Sequence, residues 1–129
     1  MRVYNKWHSM IKKELKKMNL THPQFVVLAS LAYLSQNSNE VTQVMISKLS
    51  GIDVMTVSQI LNLLEKNDFV KRKEHSRDTR AKAVILNKKG EEILQKAVPL
   101  VEQIDEIFFE KLDTDEEQFK HFLVRLNEE

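Results

Sequence analysis

Residues 43–87 read QVMISKLSGIDVMTVSQILNLLEKNDFVKRKEHSRDTRAKAVILN, and the order of patterns within this stretch decides the fold. Thr42 is placed to cap a short helix over 43–50, with Val44, Met45, Ile46 and Leu49 as inward contacts. Gly51 ends that helix, and Asp53 can cap a second one over 54–67. In the second helix Val57, Ile60, Leu61 and Leu64 recur at i, i+3, i+4 and i+7, which makes one apolar stripe. At roughly 100° per residue, Met55, Gln59, Asn62 and Lys66 point the other way, with Thr56 and Ser58 beside them. FVKRKE (69–74) and KAVILN (82–87) then suit β-strands joined by a short polar connection, so a two-stranded hairpin is predicted.

Outward from this centre the chain is helical. Val3, Trp7, Met10, Ile11 and Met18 recur at helical spacing over 2–18, with lysines on the other side. Thr21 and Gln24 have capping-box spacing and Pro23 suits a first turn, so a helix over 21–36 is predicted. Its apolar interior, FVVLASLAYL, makes it central, and SQNSN (35–39) ends it as a loop. Beyond the hairpin, Asn87 can cap a long helix reaching about Leu112. Its apolar set is Ile93, Leu94, Ala97, Val98, Val101, Ile104, Ile107 and Phe108, and Pro99 inside it should kink or divide it. Thr114 and Glu117 have capping-box spacing before a last helix striped by Phe119, Phe122, Leu123 and Leu126. The predicted class is mainly α (α+β), in one domain over residues 1–129.

Composition excludes several functions. With no cysteine, thiol catalysis, thiolate metal sites and cysteine redox sensing fall away. The opening MRVYNKWHSM has no apolar signal region, and no apolar run is long enough to span a bilayer, so a cytoplasmic, membrane-free protein is expected. The four histidines (8, 22, 75 and 121) lack the mutual spacing of metal ligands. No nucleophile–base pair and no glycine-rich phosphate loop is visible, so neither an enzyme nor a cofactor is expected. The net charge of +1 hides a polarised distribution. Residues 1–19 carry +5 and residues 43–89 carry +5, whereas residues 90–129 carry −8. A basic front and middle suit a polyanionic partner.

Two helices joined by a glycine-containing turn, SGID, make a helix-turn-helix pattern. The outward face of the second helix is polar and uncharged near its start, which suits hydrogen bonding to base edges in a major groove. Met55, Thr56, Ser58, Gln59 and Asn62 are the candidate readers. Arg77 and Arg80 stand at the hairpin tip, where arginine can enter a narrow, negative minor groove. Asp78 can pair with Arg80 and order the tip. Lys48, Lys71, Arg72, Lys73 and Lys82 are placed for phosphates.

Over residues 20–95 these patterns resemble the MarR family of winged helix-turn-helix transcriptional regulators. Asp78-Thr79-Arg80 is similar to the family's D-x-R wing motif and is followed by Leu86 and Lys89-Gly90-Glu91. LEKNDFV (64–70) is similar to the pattern that ends its recognition helix. The resemblance implies a homodimer on double-stranded DNA, with dimerisation helices over 1–20 and 91–129 and a DNA-binding lobe over 21–90. It implies a repressor reading a pseudo-palindromic operator through residues 54–67 and a wing over 70–86. It also implies release by a small aromatic or anionic effector held by Trp7, Met10, Ile11, Phe25 and Leu28.

The pattern departs from the family at several places, mildly so at Asn87, which replaces the common threonine cap. Asp68 stands where glycine is usual and should strain or shift the start of the wing. Val54 and Met55 stand where relatives often carry arginine or a polar residue. That moves the expected readout towards adenine contacts by Gln59 or Asn62 and a thymine methyl contact by Met55. A second reading is a winged-helix protein-interaction module without sequence-specific DNA binding. The small net charge and arginine-poor second helix favour it, whereas the arginines of the wing favour the first.

Overall fold

The computed structural model describes residues 1–78 and 81–128, without the side chains of Asp113 and Thr114. The elements run α1 (Arg2–Lys16), α2 (His22–Ser35), β1 (Val41–Thr42), α3 (Gln43–Ser50), α4 (Val54–Lys66), β2 (Val70–Glu74), β3 (Lys82–Leu86) and α5 (Lys88–Phe109). A 3₁₀ segment (Glu110–Asp115) then leads to α6 (Glu116–Asn127). No single helix among the described residues is long and apolar enough to cross a membrane.

Local chemistry accounts for the helix starts. Thr21 caps α2 in a reciprocal capping box with Gln24: each backbone N–H donates to the other's side chain, at 3.0 and 3.2 Å. Thr42 Oγ1 accepts from Met45 N at 3.2 Å, and Asp53 Oδ2 accepts from Thr56 N at 3.0 Å. Left-handed Gly51 (φ 77°) turns the chain between α3 and α4, which meet at 112°.

Helix α2 buries Phe25, Val27, Leu28, Ser30 and Leu31, so it is sheathed on most sides and forms the centre of the core. Ile11 and Leu15 of α1, Ile46 of α3 and the α4 stripe of Val57, Ile60, Leu61 and Leu64 join it. Leu94 and Ala97 of α5, with Val70 and Val84 of the sheet, complete it. α1 also lies along α5, where Trp7 Nε1 donates to Asp105 Oδ1 at 2.8 Å.

Several expectations need correction. Of the four apolar α3 positions only Ile46 is fully buried, and Val44 and Leu49 are about half exposed. Val44 lies some 200° around the helix from Ile46, and Leu49 sits on the last turn, where Gly51 takes the chain away. Residues 41–42 form a strand that the sequence did not reveal. β1 pairs with β3, making an antiparallel sheet in the order β1-β3-β2. Two residues are too few for periodicity to register.

α5 is one helix through Pro99, neither divided there nor reaching Leu112. Asn87 occupies the N-cap of α5 without a capping side-chain bond, because its amide donates instead to the Asp68 backbone oxygen (3.3 Å) and Oδ1 (3.2 Å). That pairing also answers the question of Asp68. It takes the left-handed conformation in place of glycine, at φ 66°, and Asn87 holds its backbone oxygen and Oδ1. α6 begins at Glu116 after Asp115, and the proposed Thr114 capping oxygen lies outside the described residues.

Candidate nucleic-acid interface

α4 is held by its buried stripe and turns Met55, Gln59 and Asn62 to solvent, with Met55 73% exposed. Thr56 and Ser58 are half-buried at its edge. The Thr56 hydroxyl donates to Asp53 Oδ1 at 2.6 Å. This bond and the backbone N–H of Thr56 hold the Asp53 carboxyl below its ordinary pKa. The carboxylate at the start of α4 is thereby turned onto its own helix. Lys48 is exposed on α3.

β2 and β3 form the hairpin in the register Val70↔Leu86 through Glu74↔Lys82. Lys71 and Lys73 alternate with Arg72, so they share one side of β2, and both are exposed. Lys82 is also exposed, opposite Glu74 in the register. Arg77 is exposed at the tip. Arg80, and with it the expected Asp78–Arg80 brace, lies outside the described residues; Asp78 itself has an interaction partner.

What orders the described part of the tip is a device the sequence did not disclose. The Glu40 carboxylate, just before β1, accepts from Ser76 N at 2.9 Å and also from the Ser76 hydroxyl. His75 Nε2 lies 3.9 Å from the same carboxylate, and His75 Nδ1 accepts from the backbone N–H groups of Arg77 (3.1 Å) and Asp78 (3.3 Å). Glu40 and Ser76 are 36 residues apart, and no spacing rule joins them.

The two bonds from Ser76 are the main cause of the lowered Glu40 pKa, aided by the neighbouring charge of Lys73. A carboxyl with a depressed folded-state pKa stabilises the structure above its unfolded value, here 4.5, and loses that effect as pH falls through the lower folded value. The Ser76 amide is therefore expected to exchange hydrogen faster in Glu40→Gln than in wild type at neutral pH, and the difference should vanish in acid. Equal exchange in the two proteins at neutral pH would remove Glu40 from this role.

Arg72, expected to meet phosphates, turns inward. It bonds to Gln43 of α3 and to Asn62 and Glu65 of α4. Of the proposed effector residues, Ile11, Phe25 and Leu28 are buried in the core, whereas Trp7 and Met10 remain partly exposed. Beside Trp7 the fold brings together His8 and His22, whose Nδ1 atoms are 3.1 Å apart, at a cavity of about 420 Å³ also lined by Lys12, Lys16 and Pro23. Burial and the neighbouring His8 lower the pKa of His22, against an opposing pull from Asp105. The 14-residue separation of these histidines gave no sign of their contact. Among the described residues no group of three or more His, Asp or Glu side chains could hold a metal ion.

A helix-turn-helix backed by a three-stranded sheet with an extended basic hairpin is a winged helix. The family described as "ArnR1-like, winged-helix domain" matches residues 16–104. The chain is 36% identical over 103 residues to an uncharacterised HTH-type transcriptional regulator, YdcH, of Bacillus subtilis, covering 80% of this chain and 70% of that one.

The chain belongs to the ArnR1-like winged-helix family.

Like its HTH-type relative it is a winged-helix transcriptional regulator, of the MarR type in its fold. Its fold is similar to that of an Escherichia coli MarR mutant solved with operator DNA, with a TM-score of 0.83, 23% identity, and 96% and 86% of the two chains covered. It is equally similar, at a TM-score of 0.83 and 26% identity with the same coverage, to Bordetella bronchiseptica BpsR, whose DNA binding 6-hydroxynicotinic acid regulates. α4 and the β2–β3 hairpin are thus the second helix and the wing of a MarR-type winged helix-turn-helix.

Proposed function

We propose that this winged-helix regulator is a cytoplasmic homodimeric repressor of the MarR type, without enzymatic activity or cofactor, that binds a pseudo-palindromic duplex operator. The observation that carries this reading is a solvent-facing α4 surface, uncharged over its first turns, paired with a basic wing whose tip is tied to the body of the protein. Met55, Thr56, Ser58, Gln59 and Asn62 would face the major groove. Arg77 and Arg80, braced by Asp78, would enter the minor groove, and Lys48, Lys71, Lys73 and Lys82 would touch phosphates. Half-sites would lie about one helical turn apart.

Dimerisation is supported by α6, which buries none of its residues. Phe119, Phe122, Leu123 and Leu126 remain between 38% and 82% exposed there, an apolar stripe that a second copy would cover. A small aromatic or anionic effector would suit the cavity beside Trp7, where Lys12, Lys16, His8 and His22 supply cationic and donor groups.

Arg77→Ala tests the wing. If Arg77 displaces one counterion, the slope of log affinity against log salt should flatten by about one, and binding at low salt should weaken about tenfold. Unchanged affinity and slope would remove Arg77 from the interface.

A further inference from the structure

Arg72 is a cation on the wing that is almost wholly occupied by its own protein. Its side chain is 17% exposed. Nη1 donates to Gln43 Oε1 at 3.1 Å, and Nη2 donates to Glu65 Oε1 at 3.1 Å and to Asn62 Oδ1. Its backbone N–H donates to Glu65 Oε2 at 3.0 Å. One guanidinium thus ties β2 to both helices of the helix-turn-helix.

The contact with Asn62 has a chemical consequence. A guanidinium has donors and no acceptor, so the amide atom that meets it must be the oxygen. The Asn62 oxygen is drawn back towards β2, and the NH₂ group is left for whatever faces the exposed side of α4. Reading adenine in two-point fashion needs both ends of the amide: the oxygen accepts from N6 while the nitrogen donates to N7. Guanine presents two acceptors on its major-groove edge, O6 and N7, and needs only donors.

We infer that Arg72 is a positioning residue that sets the base preference of Asn62, presenting it to DNA as a donor that selects guanine over adenine. This inference rests on the proposed reading of α4 as a base-reading helix. It replaces the adenine preference that the sequence suggested for Asn62, and it supplies a guanine contact to a helix that lacks arginine. Gln59, one turn earlier on the same face, is not held by Arg72 and keeps both ends of its amide.

Selection of binding sites from random duplexes by wild type, Arg72→Met and Asn62→Asp tests it. Wild type should enrich guanine at one position of each half-site. Arg72→Met, which keeps the length of the side chain and removes its donors, should shift that one position towards adenine by about five- to tenfold. Asn62→Asp keeps an oxygen for Arg72 but has no donor, and it should shift the same position towards cytosine, whose N4 donates. A side chain with only a structural role would weaken all sites alike and move no single base. If Arg72→Met destabilises the wing, Asn62→Asp decides alone.

The inference is overturned if Asn62→Asp changes no position. It is also overturned if Arg72→Met only flattens the salt slope by about one, since Arg72 would then be a phosphate contact. A wild type that enriches no sequence would overturn the reading of α4 and the inference together, and so is distinct from failure of the inference alone.

Discussion

Replacing Phe122 and Leu126 together by aspartate is expected to yield a monomer and to weaken operator binding by about a hundredfold or more. In the single chain both side chains lie on solvent, at 45% and 82% exposure, so the substitutions leave the winged-helix core untouched. In a dimer they would place four carboxylates within an apolar interface, where unpaired charges cost several kcal/mol. Losing the dimer turns binding to two linked half-sites into binding to one. The linkage is commonly worth about 10²- to 10⁴-fold in affinity. Sedimentation and operator titration of the same preparation measure both effects. A variant that stays dimeric with full affinity would move the interface away from α6.

The second large effect is expected at Gly90. A Cβ built there would stand 2.3 Å from the Phe69 backbone oxygen, 2.7 Å from Leu86 Cδ1 and 3.2 Å from the Phe69 carbonyl carbon. The end of Leu86 can move aside. The Phe69 carbonyl cannot move freely, because it accepts from Asn87 N at 2.9 Å and follows left-handed Asp68. Lys89 closes the same junction by donating to the Asn67 oxygen at 3.1 Å. Gly90→Ala must therefore pry the start of α5 from the point where α4 passes into the wing. A loss of about 3 kcal/mol is expected, at the upper end for overpacking, with a fall of about 10 °C in melting temperature. A change below about 0.5 kcal/mol would show that α5 can shift at no cost and that the junction is not rigid.

The parts of this fold that were legible in the sequence are those that local chemistry specifies. The stripe from Val57 to Leu64 gave α4 and its buried face together. Thr21, Thr42 and Asp53 marked three helix starts to the residue, and the polar connection between two β-like runs gave the hairpin. What was not legible depends on pairs distant in the chain. β1 is a strand only because Val41 finds Val84, and Val41 is 2% exposed as a result. Asn87 has the residue type of a cap, yet Asp68, 19 positions earlier, claims its amide.

The candidate interface divides in the same way. The residue types on the outward face of α4 and along the wing could be read from spacing. Arg72 and Lys71 are both basic residues of one strand, and spacing alone gave them the same role. The fold separates them, because alternate strand positions face opposite sides and only Arg72 meets Gln43, Asn62 and Glu65. Glu40 lay just past the segment read as a loop (35–39), and only the folded chain brings it to Ser76.

The most direct test of sequence-specific DNA binding is a titration of the purified protein against the DNA upstream of its own gene and against an unrelated duplex, at two salt concentrations. A nanomolar-range affinity that favours the upstream DNA and falls steeply with salt is the predicted result. Equal, weak binding to both duplexes, followed by a random-duplex selection that enriches no site, would contradict it and turn the exposed α4 face and the wing towards a protein partner.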